Sequence, residues 1–168
     1  MIDWVLLALR LWLGIVMLAH GFHHARSLTG TAKWFDQKGF TRPIVTATLS
    51  AGGELAIGAS FVLGFLTPFA VAGLVATMTI AFWTVHRASG FFVFRRPDEG
   101  WEYVATLSLV AAVIGVLGPG RFSADSLLGW GWVDGWTGAI VVAFGLVIAA
   151  IQLLIGWRRP QERGEGGR

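Results

Sequence analysis

The sequence predicts an all-α membrane protein with five transmembrane helices. Two observations carry this. Only 14% of the 168 residues are charged, against about a quarter in soluble globular domains. The apolar residues are also concentrated: no Asp, Glu, Lys or Arg occurs in the 31 positions Leu55–Val85 or the 21 positions Thr137–Trp157. About 18 consecutive apolar residues suffice to cross a bilayer. This composition excludes a soluble enzyme, a nucleic-acid-binding domain and a disordered chain. The absence of cysteine removes disulfides, thiolate metal sites and a cysteine nucleophile.

The expected spans are Trp4–Phe22, Ile44–Leu66, Pro68–His86, Trp101–Gly118 and Trp136–Trp157. The first lacks a basic leader, and Gly21-Phe22-His23-His24 is a poor cleavage site, so it reads as a retained helix rather than a signal peptide. The uncharged run through Leu66-Thr67-Pro68 is too long for one helix, and proline starts a helix well, so a tight hairpin is expected there. Thr31–Gly39 reads as a short helix capped by Thr31 and stopped by Gly39, with Trp34 and Phe35 on the inner leaflet. Gly118-Pro119-Gly120 ends the fourth span sharply. The tail from Arg158 to Arg168 is polar, basic and glycine-rich, and is expected to lie in the cytoplasm against anionic lipid.

Charge placement sets the expected orientation. Eleven of the thirteen basic residues fall between spans one and two, between three and four, and after five. Arg121 alone lies in a loop on the other side, and Arg10 lies within span one. The positive-inside rule puts the N-terminus outside and the C-terminus in the cytoplasm. Trp4, Trp130, Trp132 and Trp136 then mark the outer interface, and Trp83, Trp101 and Trp157 the inner one.

Ionisable groups at membrane depth are costly, and are usually paired or functional. Arg10 shares a helical face with Gly14, Met17, Gly21 and His24; Glu54 shares one with Ala47, Ser50, Ala51, Gly58 and Phe61. Small residues on both faces let antiparallel helices approach closely. Arg10 is then expected about 7 Å above Glu54 along the axis, within reach of an ion pair; a neutral Glu54 is the other way to bury it. Such a pair either fixes helix register or binds a polar ligand. A second group lies at the cytoplasmic ends: His20, His23 and His24 on span one, His86 on span three, and Glu102 at the start of span four, which either joins them or favours its helix N-terminus. Four imidazoles at one level suit a quinone or another polar-headed lipid better than a metal or haem, because no cysteine or clear carboxylate stands beside them. The alternative is a set of interfacial histidines satisfied by water and headgroups.

Several pieces, in order, resemble the DoxX family of small bacterial membrane proteins. They are Arg10-Leu-Trp-Leu-Gly14 with His20-Gly21, Gly39-Phe-Thr-Arg-Pro43, Gly53-Glu54 with Gly58, and Leu63-Gly-Phe-Leu-Thr67. Gly100-Trp-Glu102 and Gly118-Pro-Gly-Arg-Phe-Ser-Ala-Asp125 follow. The resemblance implies an antiparallel four-helix membrane bundle over residues 1–128, in the bacterial cytoplasmic membrane. The outer loop end with a fifth helix (129–157) and the basic tail (158–168) are additions to it. The family takes its name from a subunit of a thiosulfate:quinone oxidoreductase, so the resemblance implies a redox-associated membrane subunit.

Three functions compete. The first is an accessory or quinone-interacting subunit of a membrane oxidoreductase, with a redox-protein partner at the cytoplasmic face. The second is a small-molecule or lipid transporter or binding protein. The third is a membrane anchor for a soluble partner. No dinucleotide fingerprint or P-loop is present. The candidate ligand-binding residues are Arg10, His20, His24, Glu54, His86 and Glu102, in a site expected to open to the cytoplasmic half between spans one, two and three.

Overall fold

The computed structural model describes residues 1–94, 99–131 and 135–160. Arg95, Arg96, Trp132, Asp134, Arg163 and Arg168, with most of the expected tail, lie outside the described residues. The chain forms α1 (Ile2–Ala25), α2 (Leu28–Gln37), α3 (Pro43–Leu63) and α4 (Thr67–Ala81). A π-helical turn (Phe82–His86) and a 3-10 turn (Arg87–Ser89) continue α4. They are followed by α5 (Glu102–Leu117), α6 (Ala124–Leu127) and α7 (Gly135–Gly156). Among the described residues, four helices are long and apolar enough to cross a membrane: Ile2–Ala25, Pro43–Leu63, Thr67–Ser89 and Trp136–Gly156. The expected fourth span is the shorter one: α5 has 16 residues, about 24 Å at 1.5 Å per residue, because Trp101 and Gly118 bound it closely.

The broadest helix contact joins α1 to α3. A Cβ at Gly14 would lie 2.9 Å from the Gly58 carbonyl, and one at Gly21 would lie 3.0 Å from the Ala51 carbonyl. Rising numbers on α1 thus meet falling numbers on α3, and the predicted small-residue faces are the antiparallel crossing. Leu13, Met17, Phe61, Val71, Leu74 and Ile114 fill the core beside it.

Arg10 is fully buried, but it does not meet Glu54. The α1–α3 register puts Arg10 level with Gly64, ten residues beyond Glu54, or about 15 Å along the axis. There its guanidinium donates to the Phe61 carbonyl at 3.3 Å and to the Phe122 carbonyl. The expected ion pair is therefore replaced by a cation at the C-terminus of α3. Unpaired carbonyls and the negative end of the helix dipole attract positive charge there.

Asp125 completes this knot. Its two carboxylate oxygens accept from the backbone N–H groups of Leu66 and Thr67 at 2.8 and 2.9 Å, and its own N–H donates to the Gly64 carbonyl at 2.9 Å. A residue 58 positions away in sequence thus caps α4. The hairpin turns through Gly64 (φ 63°) and Leu66 (φ 52°), both left-handed. Glycine adopts that conformation freely; Leu66 is held in it by the Asp125 bond. A Cβ at Gly64 would collide with the Arg10 guanidinium.

The short helix begins earlier than expected. Ser27, not Thr31, is its cap, accepting from Gly30 N–H at 3.3 Å, while the Thr31 hydroxyl donates to the His24 carbonyl at 3.2 Å. Trp34 faces outward, but Phe35 turns inward against His24 and Phe40. The fifth expected span, α7, packs on α4 and α5, with Gly138 over Gly115 and Gly145 over Ala72. Its end is stapled to the α2–α3 loop: Thr41 N–H donates to Gly156 O and Arg158 N–H to Gly39 O, each at 2.9 Å, and Trp157 Nε1 donates to Lys38 O at 2.7 Å. Gly39 has φ 92°, and a Cβ there would strike the Arg158 carbonyl.

Replacing Asp125 with Ala leaves two buried N–H groups without acceptors, and is expected to cost about 3 kcal/mol or more in unfolding free energy measured in detergent. In double-mutant cycles with Arg10→Met, Asp125→Ala is expected to couple. Glu54→Gln is expected to add to Arg10→Met within about 0.5 kcal/mol, and a measurable Arg10–Glu54 coupling would contradict the register.

Candidate functional site

The far end of the bundle from Arg10 holds a cavity of about 420 Å³. Every layer contributes to its wall: His20 and His24 from α1, Phe35 from α2, Ser50 and Glu54 from α3, Thr77 from α4, Tyr103 from α5 and Gln152 from α7. Thr84, His86 and Glu99 close it. Exposed Trp34 and Leu49 also line it, so the cavity reaches the molecular surface. It lies where the histidine group was expected, between α1, α3 and α4, with α5 and α7 as further walls.

Local structure accounts for the opening. Gly53 lies on the wall, and a Cβ added there meets nothing within 4 Å. On the facing side α4 widens into its π turn, a feature that recurs at functional sites because the extra residue re-aims side chains. It turns His86 inward, to 8% exposure. His86 Nδ1 lies 2.7 Å from the Glu99 carbonyl. A carbonyl only accepts, so Nδ1 carries the proton and Nε2 of the neutral ring is an acceptor. Tyr103 stands between two of the predicted histidines, its ring centroid 6.5 Å from His20, nearly parallel, and 5.3 Å from His86, edge-on.

Glu54 is 5% exposed. Its Oε1 accepts from the Ser50 hydroxyl at 2.7 Å. His24 Nδ1 lies 3.2 Å from Oε2, but no hydrogen-bond donor is aligned on that oxygen. A buried carboxylate oxygen without a hydrogen bond is costly, and it lies at the wall of an open cavity. That is the arrangement expected of a group awaiting a ligand.

Of the six predicted site residues, the structure brings together His20, His24, Glu54 and His86. Arg10 belongs to the opposite end of the bundle. Glu102 points elsewhere, accepting from Val93 N–H at 3.2 Å; its neighbour Tyr103 takes the position expected of it, one residue on a helix being a rotation of about 100°. His23 is exposed beside His24 and does not line the cavity. Tyr103 and Gln152 are the residues that sequence reasoning missed; it places Ser50 on the Glu54 face without assigning it to the site. Ser50 is one turn from Glu54, a spacing that could have assigned it. Gln152 enters only because α7 folds back on α4. Among the described residues, no three His, Asp or Glu side chains converge as metal ligands.

Gly53→Leu starts from a Cβ position with nothing within 4 Å and adds its bulk at the cavity wall. It is expected to leave thermal stability unchanged or slightly raised, since glycine inside a helix costs about 1 kcal/mol relative to alanine, while removing any small molecule that co-purifies. A Gly53→Leu protein that unfolds at markedly lower temperature would show that the space is structural.

Residues 5–87, from α1 through the π turn, match the DoxX family model. The segments Gly100–Glu102 and Gly118–Asp125 lie beyond that match. No curated protein and no solved structure matches the chain. The matched residues include every α1, α3, α4 and π-turn side chain of the cavity wall. The chain is thus a multi-pass membrane protein whose segment from α1 to the π turn matches the DoxX family model.

Proposed function

We propose that the chain is a quinone-interacting accessory subunit of a membrane oxidoreductase system. The observation that carries this is the buried Glu54, with an unsatisfied oxygen, in a cavity that also holds His24, His86 and Tyr103 between apolar walls. A polar-headed ring with an apolar tail suits such a mixture: few placed polar groups orient the head, and the surrounding hydrocarbon receives the tail. Imidazole rings can both donate and accept a proton, which suits a ligand whose redox chemistry moves protons. The family's membrane redox associations point the same way.

In this reading the cavity lies in the cytoplasmic half of a bacterial cytoplasmic membrane, with the N-terminus outside. Arg26, Lys33, Lys38, Arg42, Arg87, Arg158 and Arg159 gather at the cavity end of the bundle, where α7 is stapled to the α2–α3 loop, while Arg121 sits beside Asp3 at the other. That asymmetry supports the positive-inside orientation, and the basic face would receive a redox-protein partner.

Purification in mild detergent followed by solvent extraction and chromatography is expected to recover near-stoichiometric quinone from the natural chain and much less from His86→Ala. Quinone no higher than in an unrelated membrane protein from the same membranes would reject the proposal. A reporter fused after Arg168 is expected to act as cytoplasmic, and one inserted near Ser126 as external; the reverse would invert the orientation.

A further inference from the structure

We infer that the cavity selects the reduced, dihydroxy form of its ring ligand over the oxidised, dicarbonyl form. This rests on the quinone reading above and adds a polarity to it. The serine and threonine protons of the wall are already committed. The hydroxyls of Thr46, Thr77 and Thr84 donate to the carbonyls of Arg42, Gly73 and Ile80 at 3.1, 2.9 and 2.8 Å, each one turn back along its own helix. The Ser50 hydroxyl donates to Glu54 Oε1 at 2.7 Å. All four hydroxyls therefore face a ligand with lone pairs only.

Two stronger acceptors join them. Glu54 Oε2 is buried without an aligned donor. His86 Nδ1 donates to the Glu99 carbonyl, which leaves Nε2 as the acceptor of a neutral imidazole. His20, His24, Tyr103 and Gln152 can each donate or accept, so they favour neither form. A quinone carries two carbonyl oxygens, which only accept; beside Glu54 and His86 it would set lone pair against lone pair. A hydroquinone carries two O–H donors and satisfies both. The difference is expected to equal at least one hydrogen bond that the dihydroxy form makes and the dicarbonyl form does not, about tenfold in affinity.

The test uses the full chain in nanodiscs and a tail-free dimethoxy-methyl hydroquinone, kept reduced under anaerobic conditions, beside the matching quinone. Equilibrium dialysis against empty nanodiscs reads both affinities. The hydroquinone is expected to bind about tenfold more tightly. Glu54→Gln, which turns an acceptor into a donor, is expected to bring the ratio close to one. If Glu54→Gln fails to insert, His86→Phe reads the same ratio with the other acceptor removed. Equal affinities in the natural chain, or tighter quinone binding, would overturn the inference while leaving the quinone reading standing. Binding of neither compound would overturn both.

Discussion

The structure depends on a single buried cation. Arg10 enters the bundle with no carboxylate beside it on α1, and its charge is met by the end of α3 and the loop after α5. Burying a guanidinium in an apolar interior is tolerable only when its donors are paired. The carbonyls of Phe61 and Phe122 pair its two terminal nitrogens, Nε stays without a hydrogen bond, and the opposite charge of Asp125 stands close enough to act on it. Because Asp125 also holds the first backbone N–H groups of α4, one knot fixes α1, the α3–α4 hairpin and the loop carrying α6. Removing any member exposes the others as buried, unpaired groups.

That knot closes one end of the bundle and leaves the other free to open. Near Arg10, Gly14 and Gly58 bring α1 and α3 into backbone contact, and Gly64 admits the guanidinium. Toward the histidines, Gly53 faces empty space and the π turn re-aims His86 across it. Glycine serves opposite ends in the two places: close approach at one, and volume at the other. The staple between α7 and the α2–α3 loop holds the open end together through backbone bonds, so the cavity need not be filled for the helices to stay in register.

The cavity separates two kinds of buried polar group. Arg10 and Asp125 bind backbone groups of distant segments, although the Arg10 Nε, like the Thr67 hydroxyl, is buried without a hydrogen bond. Glu54 keeps one oxygen unsatisfied, in a wall whose serine and threonine protons are taken. Polar groups left incomplete inside a protein draw attention because folding alone gives no reason to keep them.

Sequence alone determined that the chain is helical and spans a membrane, because uncharged runs and helical periodicity are local properties. It determined the small faces of α1 and α3 for the same reason, and the histidine level, since four imidazoles at helix ends lie at similar depth whatever the packing. It did not determine partners. Whether Arg10 meets Glu54 or the α3 terminus is a question of interhelical register, and ten residues of axial offset decide it. Glu102 and Tyr103 are adjacent in sequence, yet only the rotation of α5 says which one faces the cavity. Asp125 caps α4 from 58 positions away in sequence. Gln152 reaches the site only because α7 folds back against α4. Each of these rests on contacts between distant segments, which periodicity, an intrahelical property, does not encode.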